Sequence, residues 1–281
     1  MALFGLLNKS KNATDEMSFW GHIDALRGHL FRSAIVVLVI TIVLFCYPEF
    51  LFDTIIFGPI RSDFITYRTF CKLSHLLNMG DQLCFGHYTF KLQSLGLADQ
   101  FTSQMWIAFL GGLIIGAPYL LWEIWRFIKP ALRDVEKKAS TGFIISSSFL
   151  FLFGVLFSYY VIVPLSVNFL GTYQVSKMVE NNFTMDSYIS TITTLTLASG
   201  IVFELPVIVY FLTKFGLISP QFMRKYRKHA IVVILIAAAI ITPSPDVTSQ
   251  MLVAFPLYFL YEASIFVSRY VVKQKAKQEA I

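Results

Sequence analysis

Six apolar stretches divide the chain into segments of membrane-spanning character: 30–47, 105–125, 142–163, 188–213, 230–242 and 251–268. Each is bounded by charge or proline, and runs of this kind approach the roughly 20 residues that a helix needs to cross about 30 Å of hydrocarbon. The fifth falls short. Its thirteen residues rise only about 20 Å at 1.5 Å each, which predicts a locally thinned bilayer or a re-entrant element.

Within the fourth run, LTLASGIVFELPVIVYFL (195–212) carries one charged side chain, Glu204, two residues before Pro206. A charge near the middle of a spanning helix costs on the order of 2.5–3.5 kcal/mol on insertion scales, so it usually faces a cavity, a partner or a substrate path. Pro206 removes a backbone hydrogen bond and predicts a kink beside the carboxylate. A protonated or paired structural carboxylate would satisfy the same pattern.

Cations set the expected orientation. Lys9, Lys11, Arg27 and Arg32 precede or open the first run. Arg126, Lys129, Arg133, Lys137 and Lys138 follow the second. Lys214, Arg224, Lys225, Arg227 and Lys228 follow the fourth, and Arg269, Lys273, Lys275 and Lys277 lie in the tail. Of 23 Lys and Arg, only Arg61, Arg68, Lys72, Lys91 and Lys177 are left for the other face. Both termini are therefore predicted cytoplasmic. The asymmetry accounts for the net charge of +6 without a nucleic-acid partner, since no basic stripe interleaved with aromatics occurs.

Composition agrees: 56% of the 281 residues are hydrophobic, 14% are charged and the mean hydropathy is +0.65, far from a soluble domain. The polar 8–16 segment and the lack of a small-residue cleavage site predict that no signal peptide is removed. One integral membrane domain, 1–281, is expected, with 48–104 as an ordered outer cap.

No HExxH, GxSxG, Walker loop or Gly-rich dinucleotide turn occurs, so neither catalysis nor a cofactor is expected. His22, His29, His75, His87 and His229 are scattered over loops and both faces, and no metal site is expected. A proton-coupled small-molecule transporter fits one intramembrane acid and a proline-broken helix, although the paired half-repeats of such proteins are not found.

Four short segments carry the remaining information. FWGHIDALRGHL (19–30) spaces Phe19, Ile23, Leu26 and Leu30 as a helical stripe with Asp24 and Arg27 off it, which predicts an amphipathic surface helix. WRFIKPALRDVEKK (125–138) is a compact loop whose Asp134 and Glu136 stand where helix capping alone would also place acids. FELP (203–206) is the setting of Glu204. In ITPSPDVTSQ (241–250), Pro243, Pro245 and Asp246 predict a tight outer turn, and Thr242, Ser249 and Gln250 suit turn chemistry or helix–helix hydrogen bonds.

In this order, and with FPLYFLYE (255–262), these segments resemble the TatC family, the multispanning receptor of the twin-arginine protein translocase. The resemblance covers nearly the whole chain. It implies an all-α integral membrane protein of six helices, curved around a concave face, with short fifth and sixth spans, in the cytoplasmic membrane of a bacterium. It also implies a receptor for the twin-arginine signal peptides of folded preproteins, working with single-span TatA-type and TatB-type subunits under the proton-motive force.

Carried over residue by residue, the signal-reading loop acid falls on Glu136, with Phe127 and Pro130 shaping its surroundings. The basic position of the N-terminal motif falls on Arg27. A guanidinium fork suits a carboxylate better than any other side chain. Glu204, with Pro206, falls on the polar position lining the hollow, and Thr242, Asp246 and Gln250 are candidates for the partner-subunit contact.

The chain departs from the pattern at Ala25, where the family has Glu before the Leu-Arg pair. Asp24 stands one place earlier, turned by about 100° on a helix. Glu123, where the family often has an amide, is the candidate replacement. Cys71 and Cys84 in the outer segment fit either a bridge formed in an oxidising compartment or two free thiols.

Overall fold

A computed structural model describes residues 19–76, 80, 84, 92–128, 140–174, 176, 182–242 and 247–279. Pro130, Glu136 and Asp246 lie outside the described residues. Helix α1 (Phe19–Phe45) leads to a π-helical turn (Phe50–Ile56), a 3-10 turn (Gly58–Ile60), α2 (Ile65–Leu76) and β1 (Leu92–Gln93). Helix α3 (Asp99–Ile128) and α4 (Ser140–Phe157) follow, then a second π-helical turn (Ser158–Ile162), α5 (Val163–Thr172) and β2 (Phe183–Thr184). The chain ends with α6 (Met185–Val202), α7 (Leu205–Lys214), α8 (Pro220–Lys225), α9 (Arg227–Ile241) and α10 (Val247–Glu279).

Among the described residues, four helical stretches are long and apolar enough to cross a membrane: Asp24–Phe45, Asp99–Ile128, Ile144–Thr172 and Met185–Lys214. The 15 residues of α9 rise about 22 Å, as its short apolar run predicts. Helix α10 differs from expectation. It is 33 residues long, because nothing after the apolar run breaks the helix and its Lys- and Gln-rich continuation consists of good helix formers.

The 19–30 segment also departs from its predicted form. Rather than a separate surface helix it is the first part of α1, continuous with the span. Its two glycines, Gly21 and Gly28, each cost a helix about 1 kcal/mol, too little to interrupt it.

Glycines let the helices approach. A Cβ added at Gly154 of α4 would sit 2.7 Å from Phe203 Cβ and 2.9 Å from the Ser199 carbonyl. Across the same contact, a Cβ at Gly200 would meet Phe151 and Val155 at 2.9 Å. The main buried cluster, including Ala108, Val163, Leu195, Ala238 and Val253, draws on α3, α5, α6, α9 and α10. Outward, α1 exposes Leu30, Phe31, Leu38, Val39 and Ile42, as a helix facing lipid does.

The cap is held by tyrosine hydroxyls on backbone carbonyls that the irregular turns leave without helical partners. Tyr159 donates to the Ile55 carbonyl at 2.7 Å, Tyr188 to that of Ile56 at 2.8 Å and Tyr67 to that of Pro59 at 2.7 Å. Strands β1 and β2 pair in parallel, Leu92 opposite Phe183. Cys71 and Cys84 are bridged across a sequence separation of 13, which in the chain-entropy model contributes about 3 kcal/mol.

If the α4–α6 approach is as tight as these distances require, Gly154→Ala lowers stability by about 1–3 kcal/mol through overpacking. Gly142→Ala on the same helix, where a Cβ meets nothing within 4 Å, is neutral or gains up to about 1 kcal/mol. Thermal unfolding of both variants in one detergent measures the difference; equal midpoints would refute it.

Candidate functional site

Three carboxylates among the described residues are bonded between helices, each with a different chemistry. Glu123, near the end of α3, is only 1% exposed. Its Oε2 is bonded to His29 Nδ1 of α1, and Tyr119, one turn back on α3, donates to its Oε1 at 2.8 Å. The His29 ring also meets Phe127 edge-on, centroids 6.2 Å apart. Beside this cluster the Arg126 guanidinium lies 5.4 Å from the centre of the Trp122 ring. Both oxygens of Glu123 are thus taken within the chain, while Asp24 and Arg27, about one turn and half a turn before His29, are exposed.

Glu204 occupies the break between α6 and α7, as the N-cap residue of α7. Pro206 stands in the first turn of α7, where its missing N–H is no loss. Phe203 fills the inside of the break, its ring 5.8 Å from that of Phe153 and 5.6 Å from that of Phe157. Glu204 itself is half-buried, and Ser147 of α4 donates to its Oε2 at 2.7 Å. Its Oε1 is buried with no hydrogen-bond partner among the described residues. The break lies about 15 Å from the Lys214 end of α7 at 1.5 Å per residue, well inside the apolar layer.

That end of α7 closes on Gly216 at φ 77°. The Leu217 N–H bonds the Leu212 carbonyl at 2.8 Å and the Gly216 N–H that of Thr213 at 3.0 Å, a left-handed helix stop that glycine adopts without strain. Thr213 then donates to Ser268 of α10 at 2.8 Å. A third acid, Glu262 of α10, accepts from Arg227 of α9 at 2.7 Å.

The family model described as Sec-independent protein translocase protein (TatC) matches residues 21–256. The chain belongs to this family. It is 43% identical over 266 residues to a TatC of Blattabacterium, covering 94% of this chain and 100% of that protein. It is 33% identical over 255 residues to that of Carboxydothermus hydrogenoformans, covering 91% and 94%. A crystal structure of the twin-arginine translocase receptor TatC superimposes with a TM-score of 0.67 at 31% identity, covering 89% of this chain and 99% of that one.

Within the TatC fold, the expected site residues separate by environment. Asp24 and Arg27 are presented on α1, Phe127 packs by His29, and Glu123 is enclosed. Thr242 is buried and donates to its own helix at the Ala238 carbonyl, and Gln250 donates to the Leu235 carbonyl at 2.8 Å. Both polar groups are therefore engaged between or within α9 and α10.

Sequence reasoning missed His29, Tyr119, Ser147 and the Arg227–Glu262 pair. Tyr119 was findable, four residues from Glu123 on one helix face. Among the described residues, Cys71, His75 and Cys84 also converge. The bridge between the two sulfurs leaves that group without thiolates to bind a metal.

Removing the hydrogen-bond partner of a buried carboxylate costs more than removing both groups together. His29→Leu is expected to destabilise the fold by about 3–5 kcal/mol, with most of the loss recovered in His29→Leu/Glu123→Leu. Thermal unfolding of the single and double variants tests it, and additive losses would show that the two side chains are not coupled.

Proposed function

We propose that the chain is the signal-peptide receptor and core subunit of a twin-arginine translocase in a bacterial cytoplasmic membrane. In this reading it crosses the bilayer six times, with both termini cytoplasmic and α9 and α10 as the last two spans. It recognises twin-arginine signals of folded preproteins, works with TatA-type and TatB-type subunits, and uses the proton-motive force. Membership of the TatC family over nearly the whole chain is the observation that carries the reading.

Glu136 is the proposed principal acid for the signal guanidinium groups, with Phe127 and Pro130 shaping its surroundings. Asp24 and Arg27 are the proposed contribution of the exposed side of α1. Glu123 contributes from behind: its carboxylate meets an arginine only by exchanging His29, so its part is to position α1 against α3. Glu204 and Pro206 form the intramembrane polar site of transport. Thr242, Asp246 and Gln250 belong to the subunit-contact region, where the apolar faces of α9 and α10 supply the area and Gln250 ties the two helices together through the Leu235 carbonyl.

Two measurements separate these roles. Glu136→Gln removes a charge-assisted bond worth about 1.5–3 kcal/mol and should weaken twin-arginine peptide binding roughly ten- to hundredfold. Unchanged affinity at matched salt would exclude Glu136 as the main contact. Glu204→Ala, acting at depth, should impair export more than peptide binding when both are assayed in the same membranes. Full export by that variant would remove Glu204 from transport.

A further inference from the structure

At the far end of α10, Arg224 of α8 and Arg269 and Lys273 of α10 line one cleft of about 280 Å3. Its two walls are fixed to each other. The Tyr261 hydroxyl of α10 donates to the Met223 carbonyl of α8 at 2.8 Å, and Ser219 caps α8 by accepting from the Phe222 N–H. Gln221 adds a neutral polar group to the rim, and Val272 and Ala276 give the cleft an apolar side.

Among the described residues no carboxylate lines this cleft. Glu262, two turns before Arg269, is taken by Arg227. Three cations facing one space without an acid repel each other, and a bound anion relieves that repulsion.

The place of the cleft at the end of an apolar run points to the kind of anion. Arg269 is the first cation after 251–268, a run whose one charge is Glu262. Its guanidinium lies 5.4 Å from the centre of the Phe266 ring, and Lys225 lies 5.9 Å from that of Tyr226. Cations seated on aromatic rings at the end of an apolar helix mark the headgroup level of a bilayer. An apolar side next to a cationic one matches a lipid, whose glycerol and acyl carbons continue from its phosphate.

We infer that this cleft binds the phosphodiester headgroup of an anionic phospholipid. The site goes beyond signal recognition and is separate from it, because a twin-arginine signal carries the same sign of charge as the cleft and is repelled by it.

Native mass spectrometry of the full chain, purified in detergent with equal amounts of phosphatidylglycerol and phosphatidylcholine, tests the inference. The wild-type chain should retain phosphatidylglycerol in preference to phosphatidylcholine. Arg224→Gln, Arg269→Gln and Lys273→Gln should each weaken that retention about fivefold, as expected for one cation at a membrane surface. Lys225→Gln, on the same short helix but outside the cleft, should leave it unchanged, and Arg269→Lys should keep most of it if the fold is intact.

Equal retention of both lipids, or unchanged retention in all three neutralised variants, would overturn the site. Displacement of the lipid by inorganic phosphate in excess would make it an ion site and overturn the lipid assignment. Twin-arginine peptide binding, measured on the same variants, should not change, so a failure of the receptor reading and a failure of this one are told apart.

Discussion

Hydrocarbon offers no water to a free backbone carbonyl or amide, and this constraint decides where the chain can interrupt its helices. Two of the interruptions show how the groups they release are taken up, one by side chains and one by backbone. At the π-helical turn Phe50–Ile56 the last carbonyls go to Tyr159 and Tyr188. Tyr159 itself lies in the second π-helical turn, Ser158–Ile162, so two irregular turns brace each other. The break at Glu204 comes where Pro206 has no N–H to lose, and Val207 and Ile208 both donate to the Glu204 carbonyl. An aromatic-rich composition is the sequence counterpart, because a tyrosine supplies an apolar body to the layer and one polar atom to a carbonyl.

Charge inside the layer follows the same rule. Glu123, Glu204 and Glu262 each take a hydrogen bond from another helix: His29 of α1, Ser147 of α4 and Arg227 of α9. A carboxylate partnered within its own helix would add little to the tertiary fold. Partnered across helices, each one fixes a pairing that apolar side chains alone specify weakly in lipid, where the tails are as apolar as the core. The three acids thus pin α1 to α3, α4 to the α6–α7 break, and α9 to α10.

Much of this was legible in the sequence, but unevenly. Apolar runs and their bounding charges located the long helices, because a period of length needs no knowledge of neighbours. FELP announced the break at 203–204 through local chemistry alone. The extent of α1 and α10 was not legible: isolated glycines and a polar continuation are weak stops, and only the cooperative cost of ending a helix decides between them. His29 and Glu123 are 94 residues apart, as the separation of their bond records. Nothing in either local segment names the other, so a histidine given no role in the sequence is the partner of the most enclosed acid among the described residues.

The same pairing bears on the proposal that Glu123 replaces the acid missing at Ala25. A carboxylate that is 1% exposed and bonded at both oxygens gives up two hydrogen bonds before it meets a guanidinium, whereas an acid at the surface has only water to exchange. Leaving such a buried carboxylate without its partners costs about 3–5 kcal/mol, more than the roughly 1.5–3 kcal/mol that one charge-assisted bond to arginine returns. On the proposed receptor reading, binding energy favours acids outside this cluster, and the part of the cluster is to hold α1 against α3, with Asp24 and Arg27 on the exposed side of α1.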